Sequence, residues 1–216
     1  YSDSQVIAFQ QKLLTAARSL PRAQSASLTD WLPFSYTRKT ADAWPEGYVP
    51  QWHESGEVRH ADVSAGYFAT MNIPILEGRA FTDNDDGNAP FVLIVDETAA
   101  HHYWPGQNPV GRRLRIWGHW FTVVGVARNS AHQRIGESAE PMVYMSFFQV
   151  EDPETILQVR TLHDPGLLVP ALENAVHQVN PRLIVFDVRP LSESIRISGT
   201  FEQIATAFAP RRISSE

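Results

Sequence analysis

The sequence has no cysteine among its 216 residues. This absence excludes disulfide bonds, thiolate catalysis and cysteine-ligated zinc, and it is compatible with an oxidising compartment. The chain also has no excess of basic residues: 18 Lys and Arg stand against 24 Asp and Glu, for a net charge of −6. Because a nucleic-acid binder needs clustered Lys and Arg, we expect no nucleic-acid partner.

Long hydrophobic runs are also missing. The longest are FVLIV (91–95) and FTVVGVA (121–127), which are strand-sized and far short of the roughly 18 apolar residues of a membrane span. With 43% apolar and 19% charged residues, the composition is that of a globular protein. No signal peptide is recognisable and the first residue is Tyr1, so we interpret the chain as a fragment of a longer protein.

Hydrophobic periodicity predicts a mixture of helices and strands. Helices are predicted at 3–20, 64–72 (capped by Ser64), 96–104, between Asp164-Pro165 and Val179, and at 191–208. Strands are predicted at 24–34, 48–53, 57–63, 91–95, 142–147, 155–161 and 182–188. The segments 37–56, apart from its one strand, and 78–90 are expected to be loops. A type II′ hairpin is predicted around Gly118-His119, and the last two strands with the intervening helix form a β-α-β unit.

The stretch HHYWPGQNPVGRRLRI (101–116) contains a near match to the phosphate-binding loop G-x-x-x-x-G-K-[ST]. Such a loop needs a preceding strand and a following helix, whereas here a predicted helix precedes and a strand follows. Pro109 removes a backbone N–H, and Arg112 and Arg113 replace the lysine and the hydroxyl residue. We therefore expect a turn and no bound nucleotide or other cofactor.

Metal-binding patterns are equally incomplete. His101 and His102 are neighbours and point about 100° apart on a helix, while Glu97 and His101 lack a third ligand nearby. The run TDNDDGN (82–88) resembles a calcium loop, but with Gly87 in sixth place the first and twelfth positions are Thr82 and Leu93, which are wrong for an EF-hand. We expect a turn rich in Asx residues and no metal site.

The sequence offers no recognisable catalytic residues. The nucleophile-elbow pattern G-x-S-x-G is absent, although a triad assembled from distant Ser and His residues stays open as an alternative. An enzyme is the least favoured function.

The predicted hairpin tip contains the candidate contact residues Trp117, His119 and Trp120. Trp117 and Trp120 flank the expected two-residue turn and should form a cross-strand pair. One interpretation is that the two indoles brace the hairpin. The other is that they contact a partner, because Trp is enriched in the energetic centres of interfaces.

Several motifs taken in order resemble the periplasmic core domain of MacB/FtsX-type ABC transporter permeases. The clearest is VSAGYFATMNIPILEGRAFT (63–82), a predicted helix followed by a G-R-x-F turn. The others are LLTAARSLPRAQSASLTDWLPF, VLIVDETAAHHYWPGQNPVGRRLRI, FTVVGVARNSAHQ and EPMVYMSFFQ. The pattern covers roughly residues 5–200 and looks most similar to large orphan permeases with duplicated permease units.

The resemblance implies an α+β fold with a porter-like α/β sandwich formed by both chain ends and an inserted, smaller β-rich subdomain. On this basis residues 1–75 and 151–200 form the porter-like part, 76–150 the insertion, and 201–216 a tail leading toward a second transmembrane helix. The tail departs from the family pattern, because after Phe208 it reads APRRISSE instead of an apolar span.

The resemblance also implies a function without catalysis. The domain would lie on the periplasmic side of the inner membrane and couple the motion of transmembrane helices, driven by a cognate cytoplasmic ATPase, to export. Its other implied partners are a second permease copy or pseudo-symmetric domain and a periplasmic adaptor or exported substrate. A second hypothesis is a signalling module that binds a protein partner, for example to control cell-wall hydrolases, and a secreted enzyme is a third.

Overall fold

The computed structural model of the chain describes residues 3–32, 39–130, 140–150, 154–181 and 188–193. Four α-helices lie in these ranges: α1 (Asp3–Arg18), α2 (Tyr67–Met71), α3 (Glu97–Tyr103) and α4 (Val169–Val179). Nine strands accompany them: β1 (Ala23–Thr29), β2 (Thr40–Pro45), β3 (Glu57–Val63), β4 (Ile75–Gly78), β5 (Val92–Asp96), β6 (Arg113–Ile116), β7 (His119–Ala127), β8 (Met142–Ser146) and β9 (Ile156–Thr161). The predicted mixture of helices and strands is confirmed.

Six of the strands close on themselves. The sheet runs in the order β2-β6-β7-β5-β8-β3-β1-β9, and β2 also pairs with β3. The first half of β2 lies against β3, with Thr40 opposite Arg59, and its second half lies against β6, with Ala43 opposite Ile116. A closed ring is therefore formed by six strands, in the order β2, β6, β7, β5, β8 and β3. β1 and β9 extend the sheet beyond β3.

The closed ring is filled by alternate residues of its strands, as the two-residue period of a strand requires. This first core cluster includes Ala41, Ala43, Val58, Leu93, Val95, Leu114, Ile116, Phe121, Val123, Val143 and Met145. The opposite faces of β3, β5 and β8 belong to a second cluster with α2, centred on Tyr67, Phe68 and Tyr144. Burial on both faces explains why FVLIV is a continuous apolar run.

The two outer strands carry the long helices. Leu13, Leu14 and Ala17 form the buried stripe of α1, and they pack with β1 and with Val176 of α4 in a third core cluster. β1 and β9 are antiparallel. The connections from α1 to β1 and from β9 to α4 are short, so each helix runs back along its strand.

The turn after β4 is held by a buried carboxylate. Both guanidinium nitrogens of Arg79 donate to Asp85, at 2.7 and 2.8 Å, and the backbone N–H and hydroxyl of Thr82 donate to the same side chain. Burial acts to raise the pKa of Asp85, but the hydrogen bonds from Arg79 and Thr82 hold it below its ordinary value. The shape of the loop therefore depends on Arg79 of the G-R-x-F turn, on Thr82 and on Asp85.

Two local predictions are wrong. The strand expected at 48–53 lies instead at Thr40–Pro45, because Ala41 and Ala43 fill the inside of the ring while Trp44 stacks on Tyr48 outside it. The cap residue of α2 is Gly66 and not Ser64. The Ser64 hydroxyl instead accepts the backbone N–H of Leu28 at 2.8 Å, which ties the start of this segment to β1.

Three sequence predictions lie wholly or mostly outside the described residues: the strand at 182–188, the helix at 191–208 and the tail at 209–216. Within the ranges that are described, no helix combines the length and apolarity needed to cross a membrane.

Candidate functional site

The hairpin between β6 and β7 turns one residue earlier than predicted. Ile116 lies opposite His119 and Arg115 opposite Trp120, so the two-residue loop is Trp117-Gly118. Both loop residues have positive φ, 49° and 82°, which is the pattern of a type I′ turn and not of type II′. Trp117 and Trp120 are therefore not a cross-strand pair, and Trp117 occupies a left-handed conformation that is uncommon for a bulky residue.

Trp120 and His119 lie on different faces of the hairpin. The indole of Trp120 is 40% exposed, and the guanidinium carbons of Arg113 and Arg115 lie 5.2 and 5.9 Å from its ring centroid. The ring of His119 packs edge-on against Phe91 at 5.4 Å. The outer face of the tip thus presents a cationic and aromatic surface.

Trp117 connects the hairpin tip to the strand β3. Its indole is 51% exposed and meets the imidazole of His60 at nearly a right angle, with ring centroids 5.2 Å apart. One side of the indole thus contacts His60 while half of its surface remains in solvent. Residues in the left-handed region are often found at functional sites. Here the left-handed conformation of Trp117 accompanies its contact with His60.

A buried polar cluster lies next to this contact. It comprises Asp30, which directly follows β1, and His60 and Asp62 of β3, which are 4%, 8% and 1% exposed. His60 and Asp62 occupy alternate positions, on the same face of β3 as Val58 in the first core cluster. The backbone joins the three, because the N–H of Asp62 donates to Asp30 Oδ1 at 2.8 Å and the N–H of Asp30 donates to the Asp62 carbonyl at 3.2 Å.

The cluster is rich in negative charge. Lys39 Nζ lies 2.9 Å from Asp30 Oδ2 and 3.0 Å from a carboxylate oxygen of Glu154. His60 Nδ1 lies 3.7 Å from Asp62 Oδ1. Burial raises the pKa of Asp30, and the neighbouring Asp62 acts in the same direction, while Lys39 opposes both. In the sequence, this cluster is indicated only by a His and an Asp two residues apart in a strand.

Another buried carboxylate, that of Asp96, has a structural role. Asp96 caps α3 by accepting the backbone N–H of Ala99 at 2.7 Å, and it also accepts the N–H of Met142 at 3.2 Å. Burial raises its pKa to about 6 despite these hydrogen bonds. A depression of about 700 Å³, lined by Glu77, Gly78, Gly106, Gln107, Asn108 and Val110, does not include Asp96. Asp96 is thus a buried helix cap, and burial is the main cause of its raised pKa.

The loops that first suggested chemistry are turns. Asn108 accepts the backbone N–H of Val110 within the 106–111 segment, and Asp86 accepts that of Asn88 within the 82–88 segment. Both are Asx turns, which the sequence predicts for the 82–88 segment, while for the 106–111 segment it predicts a Pro/Gly turn. Glu97 accepts the N–H of Asn129 at 2.8 Å, so its carboxylate is engaged with the backbone and not with His101.

Comparison with known proteins gives one family. The model of the MacB-like periplasmic core domain matches residues 8–179. A macrolide export ATP-binding/permease protein MacB from Marinobacter nauticus is 24% identical over 74 residues, which are 34% of this chain and only 12% of that protein.

Solved structures share the fold at low sequence identity. The periplasmic region of MacB from Actinobacillus actinomycetemcomitans superposes with a TM-score of 0.60 and 14% identity, covering 94% of this chain and 84% of that one. The extracellular domain of the noncanonic ABC-type transporter YknZ from Gram-positive bacteria gives 0.53 and 15%, covering 78% and 82%. Most of this chain therefore follows one shared architecture.

Proposed function

The chain belongs to the family of MacB-like periplasmic core domains, and from this membership we propose that it is the extracytoplasmic domain of an ABC transporter permease and catalyses no reaction itself. The observation that carries the proposal is the family match over residues 8–179, which contains every helix and strand described above except the first five residues of α1. The fold shared with the periplasmic region of a MacB protein supports it.

The outer layer places its two long helices antiparallel to one another. α1 and α4 each run back along strands that are antiparallel to one another, so the start of α1 and the end of α4 lie at the same end of the layer. The first transmembrane helix would precede α1, and residues 180–216, which follow α4, would lead toward the second. We assign residues 1–75 and 151–200 to the porter-like part and residues 76–150 to an insertion, whose strands complete the ring with β2 and β3 of the first part.

In the proposed mechanism this domain transmits force. A cognate cytoplasmic ATPase hydrolyses ATP, transmembrane helices carry the motion outward, and the domain opens and closes against a second permease copy or pseudo-symmetric domain. A ring of six hydrogen-bonded strands filled with side chains deforms little. It therefore passes a displacement of α1 and α4 to whatever it touches, an exported substrate or an adaptor.

Labelling of a single introduced cysteine tests the location. The chain has no cysteine of its own, and Val49 is 83% exposed, so Val49→Cys offers one reactive thiol in this domain. In the full-length protein, with any other cysteines replaced, a membrane-impermeant maleimide should label this thiol in cells whose inner membrane is intact. Labelling only after lysis of that membrane would place the domain in the cytoplasm and refute the proposal.

The hairpin tip, defined as Trp117, His119 and Trp120, is the proposed partner contact. Trp117→Ala with Trp120→Ala should weaken binding of an adaptor or second copy about tenfold or more, since buried Trp side chains dominate interfaces. Binding is measured by co-purification and by titration of the partner onto the 216-residue chain.

Trp52→Ala is the matched control for that double variant, because Trp52 is 89% exposed and lies outside the tip. Equal binding by the double variant and the wild type removes the tip as a contact. Loss of the folded state, seen by circular dichroism, favours the interpretation that the indoles brace the hairpin.

A further inference from the structure

We propose that Asp30, His60 and Asp62 bind a divalent transition-metal ion. One ligand atom of each residue lies within 4.8 Å of the ligand atoms of the other two. An ion bonded to nitrogen and oxygen at about 2.0–2.2 Å brings its ligands somewhat closer than this limit. Small side-chain rotations are therefore enough to form the site, and the paired β1 and β3 backbones already hold the three residues together.

The second observation is a set of buried polar atoms without partners. Among the residues that the structure describes, both carboxylate oxygens of Asp62 and the Nδ1 atom of His60 have no hydrogen-bond partner, and all three atoms are inaccessible to solvent. A buried carboxylate left in this state costs several kcal/mol in general, which is an unusual feature for a native core. A cation placed between His60 and Asp62 gives each of these groups a ligand bond.

The charge of the cluster also favours a cation. Of the two buried carboxylates, Asp30 pairs with the ammonium group of Lys39, and that group is shared with Glu154. Lys39 approaches Asp30 Oδ2, and the N–H of Asp62 approaches Asp30 Oδ1. A carboxylate has about four lone-pair positions, so Asp30 keeps the capacity to bind an ion as well.

The ligand set selects the class of ion. One imidazole and two carboxylates suit zinc and the other late first-row divalent ions. Calcium and magnesium prefer all-oxygen coordination with more ligands or several waters. Three protein ligands leave at least one position for water in a tetrahedral site.

The ion would join three parts of the molecule. Asp30 follows β1, His60 and Asp62 belong to β3, and the Trp117 indole covers the His60 ring at 5.2 Å. An ion bound to His60 would hold its imidazole in one orientation, and it would thereby also hold the ring against which Trp117 of the hairpin tip packs. This inference does not depend on the proposed transport function.

The test is metal binding by the 216-residue chain after treatment with a chelator. Titration calorimetry with Zn²⁺ should give one saturable site, and Co²⁺ should give visible d–d absorption bands. His60→Gln and Asp62→Asn should each weaken Zn²⁺ binding by about 100-fold or more, exceeding the roughly 10- to 100-fold loss typical of outer-shell partners. His101→Gln, on the exposed helix α3, is the matched control and should bind as the wild type does.

Two results would overturn the site. One is the absence of a saturable one-to-one Zn²⁺ complex. The other is binding that survives both cluster variants and is lost in His101→Gln, which would place the metal on α3.

A measurement on the unchanged chain covers the case in which a variant does not fold. In the ¹⁵N spectra of the eight histidines, the imidazole that lies against the Trp117 ring should be the one that shifts on adding Zn²⁺. A shift confined to other imidazoles, or none, would refute the proposal.

Discussion

Replacing Gly78 with alanine is expected to lower the free energy of unfolding by about 2 to 5 kcal/mol, the sum of a left-handed backbone penalty and overpacking. Gly78 has a φ of 71° at the end of β4. A Cβ there would lie 2.9 Å from the Cα of Gly125 in β7, and closer still to the carbonyl oxygen of Val124. Both obstacles are backbone atoms of a paired strand, so neither can move without disturbing the ring.

Gly106→Ala separates the two contributions. Gly106 has a nearly identical φ of 69°, but a Cβ there meets nothing within 4 Å, so only the backbone penalty of about 1 to 2 kcal/mol remains. Urea unfolding followed by circular dichroism gives both values. Equal losses in the two variants would mean that β4 and β7 do not approach as closely as described.

Between pH 4 and pH 7, Asp96→Asn is expected to gain about 2 kcal/mol of unfolding free energy relative to the wild type. Burial raises the pKa of Asp96 from 3.8 to about 6, so the folded state binds this proton more tightly than the unfolded chain does. The resulting stabilisation is fully present below pH 3.8 and is lost as the pH rises through about 6. Asparagine keeps an acceptor oxygen and does not titrate, so the stability of the variant does not fall as the pH rises through about 6.

The measurement is urea unfolding of wild type and variant at several pH values, read as the difference in unfolding free energy. A constant offset from the new amide cancels in this comparison. Asp96→Ala is the control for the hydrogen bonds, because it leaves the N–H groups of Ala99 and Met142 without their acceptor. It should be less stable than Asp96→Asn by about 2 to 4 kcal/mol. A flat wild-type-to-Asn difference across pH would contradict the raised pKa.

Strands and helices with a strong hydrophobic pattern could be predicted from the sequence. The apolar run at 91–95, the alternation at 57–63 and the helical stripe of α1 each correspond to an element found there. The family drawn from the sequence motifs is also confirmed. These features depend on the order and spacing of residues that are close together in the chain, and a single sequence is enough to show them.

The register of the hairpin could not be predicted in the same way. Moving the loop from Gly118-His119 to Trp117-Gly118 keeps Leu114, Ile116 and Phe121 on the buried face, because the change alters cross-strand partners by two positions. Hydrophobic alternation therefore fits both turns. Contacts distant in sequence, such as that of Trp117 with His60, distinguish them.

The buried polar cluster was missed for a related reason. Asp30 lies about thirty residues before His60 and Asp62, and it joins them only because β1 pairs with β3. The expectation of no metal ligands considered His101, His102 and the 82–88 loop, where residues are close in sequence. Polar residues two apart in a strand that is otherwise buried on both faces were the available signal.

The pairing of β1 with β9 has a consequence for the order of folding during synthesis. β1 is complete at Thr29, whereas its outer partner ends at Thr161. At typical translation rates the growing chain takes roughly 7 to 26 seconds to supply that partner. Until then one edge of β1 has unpaired N–H and C=O groups, and such an edge is open to pairing with other chains. A nascent chain of this kind benefits from a chaperone until β9 arrives.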